Sequence, residues 1–213
     1  VEFIQASLKG EIGVYMALGG NLISAMSDTE RVAEAIRNIG LTVQISTKMN
    51  RSHLVTGREA LILPCLGRTE RDPRGFVTVE NSMGLVHSSK GTLEPASDAL
   101  LSESEIICRV GQELFPNGPL DWKAYHEHEN TRYLISRCIP GFENYNSRVR
   151  SRGGFYLPNG PRDGPTWNTP SGKAQFFCHD LPDRKIHDER FIMMTVRSHD
   201  QYNTTIYGMD DRY

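Results

Sequence analysis

The alternation of strand and helix signals in the N-terminal part of the chain constrains the fold most. Ile12–Leu18 is almost entirely apolar and ends in Gly19-Gly20-Asn21. An apolar run of that length predicts a strand covered on both faces, as in a parallel sheet. Ser27 and Glu30 have the S-x-x-E spacing of a capping box at a helix start. Val32, Ala35, Ile36 and Ile39 then keep one helix face apolar up to Gly40. Leu41, Val43 and Ile45 alternate with Thr42, Gln44 and Ser46, the period of a second strand. Ala60-Leu61-Ile62-Leu63, closed by Pro64, predicts a third, buried strand. The order β-α-β-(α)-β with short connections predicts an α/β fold built on an open, parallel sheet. Phe76–Val79 is a candidate for a further short strand.

Beyond this region Ser102 and Glu105 form a second S-x-x-E pair, followed by a stripe of Ile106, Ile107, Val110 and Leu114. Pro116-Asn117-Gly118-Pro119 stops that helix. Asp121–Ser136 reads as helical, which sets His126 and His128 on different faces. Pro140–Pro170, rich in Gly, Pro, Asn and Arg, reads as a long loop or linker. Arg148, Arg150 and Arg152 within it read as solvated. A second region starts near Pro170-Ser171-Gly172-Lys173, with a strand-like run at Phe191–Val196 and a very polar stretch from Arg197 to Thr205. The strand's sheet partners are hard to find in what precedes it, and the chain opens on Val1. Unpaired strand groups are not tolerated in a stable core, so the expectation is a piece of a longer protein, cut on both sides.

Charge excludes one class of function. With 24 basic against 26 acidic residues, no basic field is available for nucleic acid. No stretch approaches the roughly 20 apolar residues that span a bilayer, and no signal peptide is visible. Cys65, Cys108, Cys138 and Cys178 form no C-x-x-C pair. Their scatter fits reduced thiols in a cytoplasmic protein and offers neither a zinc nor an iron–sulfur ligand set. The histidines form no H-E-x-x-H motif.

In an open α/β sheet, ligands sit beyond the carboxyl ends of the strands. Gly19-Gly20-Asn21 follows the first strand; it is not G-x-G-x-x-G, and it reads equally as a plain turn or as a loop whose amides approach a ligand. Ser46-Thr47-Lys48-Met49-Asn50-Arg51-Ser52-His53 follows the second strand and is dense in donors. It suits either a nucleotide clasp or a solvated connection. Gly67–Asp72 follows the third, where Glu70 and Asp72 read either as paired carboxylates for proton transfer or as surface ion-pairing groups. Arg197–Thr205 suits recognition of a polar ligand, with a solvated terminus as the bland alternative. The residues by themselves lead to a polar-ligand site without a catalytic group of its own.

Several strings taken together resemble the alpha subunits of formate-dehydrogenase-like molybdopterin oxidoreductases. They are Ala17–Asn21 (ALGGN), Leu41–His53, Glu59–Glu70 (EALILPCLGRTE), Val77–His87 (VTVENSMGLVH), Pro140–Asn146 (PGFENYN), Thr169–Ala174 (TPSGKA) and Arg197–Tyr207 (RSHDQYNTTIY). They keep their order over nearly the whole chain. The resemblance implies an open, mostly parallel, Rossmann-like sheet with flanking helices over residues 1–165, the third domain of that family. Residues 166–213 would be a linker and the beginning of a β-barrel-type domain that binds molybdopterin dinucleotide. The implied cofactor is a bis-molybdopterin guanine dinucleotide with molybdenum. Gly20, Asn21, Ser46, Thr47, Lys48 and Asn50 become candidates for its guanosine and phosphates, and Arg197, Ser198, His199, Gln201, Asn203 and Thr204 for its pterin. The molybdenum ligand and any iron–sulfur cysteines would lie outside this chain. The implied partners are the remaining domains of the same polypeptide and an electron-transfer protein, with neither nucleic acid nor membrane. The alternative is a stand-alone α/β nucleotide-binding or interaction module without redox activity.

Overall fold

Three parallel strands organise the N-terminal half. β1 (Val14–Leu18) follows helix α1 (Glu2–Leu8) and leads through a short α2 (Leu22–Ala25) and α3 (Thr29–Arg37) to β2 (Leu41–Ser46). β3 (Glu59–Pro64) comes next, and the sheet order is β1-β2-β3. The computed structural model describes residues 1–181, 191–194, 201–202 and 205–206. The chain divides into two units, Val1–Pro158 and Asn159–Tyr213.

The parallel register pairs Val14 with Leu41 and Leu41 with Glu59, making β2 the inner strand. Its alternation of apolar and polar residues does not mark a solvent face, because Thr42 and Gln44 are buried along with Val43 and Ile45. Burial without a partner would be costly for those polar side chains, and each has one. The Thr42 hydroxyl accepts from the Gly57 amide (3.2 Å) and donates to the Glu59 carbonyl (3.4 Å). Gln44 donates to the Ser52 carbonyl at 2.8 Å.

The flanking strands correct two expectations. β1 is not covered on both faces: Val14, Met16 and Leu18 are 61%, 37% and 49% exposed. β3 is likewise not buried, with Leu61 at 51% and Ile62 at 43%. The reason is the placing of the helices. One core packs Ile4 of α1, Val32, Ala35 and Ile36 of α3 and Ile39 just after it with Tyr15 of β1. Another packs Val43 and Ile45 of β2 with Cys65, Ile106, Leu63 and Leu101. β1 is thus covered mainly on one side, whereas β3 is open on both faces along most of its length.

The helix boundaries shift by small amounts. Asp28, not Ser27, caps α3, its carboxylate accepting from the Arg31 amide at 3.3 Å. The helix ends at Arg37, with Asn38 rather than Gly40 as its cap. No α-helix links β2 to β3; that connection holds only a 3-10 turn, Arg51–Leu54.

A second sheet follows, antiparallel and separate: β4 (Val77–Glu80), β5 (Leu85–Ser89) and β6 (Phe155–Tyr156) in that order. Helix α4 (Glu103–Leu114) starts at Ser102, which accepts from the Glu105 amide at 3.3 Å. The stretch Asp121–Ser136 is not one helix. It divides into a 3-10 turn, Ala124–His126, and α5 (His128–Cys138), so His126 and His128 belong to different elements. The expected linker after Pro140 is also corrected, since it carries α6 (Tyr145–Arg148) and β6. Tyr145, Val149 and Phe155 from it are buried with Val86 in a third core. Arg148 is structural rather than solvated, its guanidinium lying 3.9 Å from the Phe155 ring centre and donating to the Gly141 carbonyl at 2.9 Å. Arg150 pairs with Glu129 at 3.1 Å.

In the second unit, Asn159 caps the one-turn helix α7 (Gly160–Asp163), accepting from the Arg162 amide at 3.1 Å. β7 (Gln201–Tyr202) pairs antiparallel with β8 (Thr205–Ile206). Phe191–Met194 is exposed and outside any regular element, against the strand expected there; Thr195 and Val196 lie outside the described residues. No closed barrel exists among the described residues. The architecture is mixed α/β, with one parallel and one antiparallel three-stranded sheet.

Candidate functional site

Because β1 and β2 are parallel neighbours with Leu18 opposite Ile45, the loops that follow them leave the sheet side by side. The turn after β1 needs left-handed backbone at Gly19 (φ 66°) and Gly20 (φ 77°), which a side chain would disfavour. Asn50 donates from its side-chain nitrogen to the Gly20 carbonyl at 2.8 Å. The Ser52 hydroxyl donates to Asn21 Oδ1 at 2.9 Å and accepts from the Ile23 amide at 3.2 Å. Asn50 also caps the Arg51–Leu54 turn, its Oδ1 accepting from the Ser52 amide at 2.9 Å. Ser46 donates to the Lys48 carbonyl at 2.7 Å, while Thr47, Lys48 and Met49 stay exposed.

The structure therefore brings Gly20, Asn21, Ser46 and Asn50 together at one pair of strand ends, with Thr47 and Lys48 on the outer rim. Between the loops is a narrow crevice lined by Tyr15, Gly19, Gly20, Gln44, Ser46 and His53. Burial pushes the Tyr15 phenol pKa up, so it stays a neutral hydroxyl. The donor and acceptor balance is one-sided. Gly20 O, Asn21 Oδ1 and Asn50 Oδ1 are already used by internal donors. The amides of Gly20, Asn21, Thr47, Lys48 and Met49 donate to nothing among the described residues. A surface with spare donors suits an acceptor-rich ligand such as a phosphate ester or nucleoside.

The loop after β3 behaves differently. Glu70 and Asp72 are not paired. Glu70 closes its own loop, accepting from the amides of Gly67 and of Ala96 (2.8 Å), and these bonds hold its carboxyl below the usual range. Asp72 accepts from the Arg74 amide at 2.8 Å and shares a hydrogen bond with His128 Nε2 at 2.8 Å. Each carboxylate is committed to shape, which leaves no proton-shuttling pair. A cleft of about 420 Å³ lies beside this loop, bordered by Gly67, Ser104, His128 and Arg132.

Of the polar C-terminal candidates, Arg197, Ser198, His199, Asn203 and Thr204 lie outside the described residues. Gln201 lies in β7, opposite Ile206. All four cysteines are free, Cys65 and Cys108 buried, Cys138 and Cys178 exposed. Burial, with the nearby carboxylates of Glu103 and Glu70, pushes the Cys65 thiol up to about 11. Among the described residues no cluster of three or more His, Cys, Asp or Glu could hold a metal ion, and no helix is long and apolar enough to cross a membrane.

Two residues at the end of the second candidate loop have roles that the sequence alone did not assign. Ser52 joins the loops, and His53 is buried at 6% exposure behind them. The Asn50-x-x-His53 spacing was the available signal, because it is the span of a cap that reaches its third residue.

No family model matches the chain. It is 47% identical over its full length to the uncharacterized oxidoreductase Rv2900c of Mycobacterium tuberculosis, and equally so to the uncharacterized oxidoreductase Mb2924c of Mycobacterium bovis. It is 42% identical over 99% of its length to protein YdeP of Escherichia coli. The chain spans 28% of the length of the mycobacterial relatives and 29% of YdeP.

Proposed function

We propose that the chain is part of a molybdopterin guanine dinucleotide-dependent oxidoreductase, formate-dehydrogenase-like, and that it supplies cofactor-binding walls. The carrying observation is the row of spare donors at the adjacent ends of β1 and β2. Gly20, Asn21, Ser46, Thr47, Lys48 and Asn50 would hold guanosine and phosphate there, and backbone amides with one lysine fit that chemistry. Arg197, Ser198, His199, Gln201, Asn203 and Thr204 would face the pterin. When bound, the molybdenum–pterin group supplies the two-electron chemistry. This chain's residues bind and orient it, the usual division of labour. The name oxidoreductase borne by the mycobacterial relatives supports the reading, as does the string resemblance described above.

The relatives' greater length supports a second part of the proposal, in which the remaining domains of one longer cytoplasmic polypeptide complete the site. The outward apolar face of β1 (Val14, Met16, Leu18) is a surface such domains would cover. An iron–sulfur cluster and an electron-transfer partner would belong to those other domains. The test is metal and nucleotide analysis of the full-length polypeptide purified in active form. Molybdenum together with guanine nucleotide is the expected result; absence of both molybdenum and tungsten overturns the reading.

A further inference from the structure

Behind the strand-end loops, His53 lines the crevice with one ring nitrogen fully engaged and the other idle. Nδ1 receives the Asn50 backbone N–H at 3.0 Å. Asn50 O and Oδ1 also lie within 3.3 Å and 3.2 Å of that nitrogen. A backbone N–H directed at Nδ1 requires a lone pair there, so in the neutral ring the proton sits on Nε2. Nε2 is buried and has no partner among the described residues. A buried N–H without an acceptor is costly to keep, which calls for an explanation in a ligand or a water.

The surroundings favour a ligand. The neighbouring acceptors Gly20 O and Asn21 Oδ1 are occupied, the Gly20 amide on the crevice wall donates to nothing among the described residues, and the unused amides of Thr47, Lys48 and Met49 lie on the exposed rim. A water in the crevice would serve His53 and Gly20 alone, whereas the oxygens of one phosphorylated nucleoside laid across both loops would also engage the rim. We infer that His53 is a nucleotide-positioning residue, donating from Nε2–H to an oxygen of the nucleotide seated at the ends of β1 and β2. This rests on the proposed dinucleotide site and gives a role within it to the last residue of the second loop. With its proton on Nε2, the ring acts as a directional donor.

The experiment compares the full-length polypeptide with His53→Phe and His53→Gln, releasing bound guanine nucleotide with acid and measuring it per chain. The phenylalanine keeps the ring's bulk without an N–H; the glutamine restores an amide donor of similar reach. His53→Phe is expected to retain less than about one tenth of the parent's nucleotide, and His53→Gln at least about half. Equal nucleotide in the parent and His53→Phe overturns the role of His53 while leaving the dinucleotide site standing. A parent without guanine nucleotide overturns both. A long-range proton–nitrogen correlation spectrum of the full-length polypeptide labelled at histidine reads the tautomer independently, so the inference stays open to refutation even if His53→Phe does not fold. A proton on Nε2 supports it; a proton on Nδ1 overturns it.

Discussion

Asn50 and Gly20 lie on different loops, thirty residues apart, and a single hydrogen bond of 2.8 Å from the Asn50 amide to the Gly20 carbonyl ties them together. The same side chain caps the turn that carries Ser52 and His53. Replacing it uncouples the strand ends and uncaps the turn in one step.

Asn50→Ala is therefore expected to lower unfolding free energy by about 1–2 kcal/mol, the range for losing a cap and one further bond. Urea denaturation reads the change. A shift within about 0.3 kcal/mol would mean the loops are held by other contacts.

Gly111 sits in α4 under the Trp122 ring, and a Cβ placed on it would come within 2.5 Å of that ring. Alanine is the better helix former by about 1 kcal/mol, but overpacking costs about 1–3 kcal/mol. Gly111→Ala should thus destabilise modestly and shift Trp122 fluorescence. A stabilised variant with unchanged emission would contradict this packing.

Glu105 is buried, and burial alone would raise its pKa; hydrogen bonds from Arg74 (3.3 Å) and Arg109 (2.7 Å) outweigh it and leave the pKa lowered. A carboxyl depressed on folding stabilises above its unfolded value, about 4.3, and that contribution disappears as pH falls through the folded value. Glu105→Gln is expected to cost about 2 kcal/mol at neutral pH. The difference from the parent should shrink in urea titrations run at pH 3. A difference independent of pH would show that the carboxylate's charge contributes nothing.

Thiol chemistry should separate the cysteines by burial. Cys138 and Cys178 are exposed, whereas Cys65 is buried with its thiol pushed up to about 11. Reactivity follows thiolate fraction and access. Iodoacetamide at neutral pH is expected to label Cys138 and Cys178 first, with Cys65 modified only on unfolding, as peptide mass mapping would reveal. Rapid labelling of Cys65 in folded protein would show that its site opens.

The three parallel strands and the helices Thr29–Arg37 and Glu103–Leu114 were legible because their signals are local, apolar runs and stripes above all, although of the two S-x-x-E pairs only Ser102 and Glu105 marked the true cap. Burial was not. Val14–Leu18 and Ala60–Leu63 read as interior strands, yet a run of apolar residues cannot report whether the chain has helices enough to cover both faces. The polar members of β2, Thr42 and Gln44, failed in the opposite sense, since their partners at Gly57, Glu59 and Ser52 are fixed only once the loops fold back. Tyr145 and Phe155 were read as loop residues because glycines and arginines surround them, and their partner Val86 lies far away in sequence. The strand-end loops were legible as candidates, through the general geometry of parallel sheets. The roles of Ser52 and His53 within them were not, because they depend on a long-range bond and a tautomer.

The placing of β2 between β1 and β3 has a kinetic side. Its amides lie in the inner ladder and its side chains are buried on both faces, whereas both neighbours are partly open to water. Local opening starts where buried contacts are fewest. In deuterium oxide, the backbone protons of Val43, Gln44 and Ile45 should therefore exchange last. Their exchange would report the global opening of this unit, while those on the outer strands report fraying.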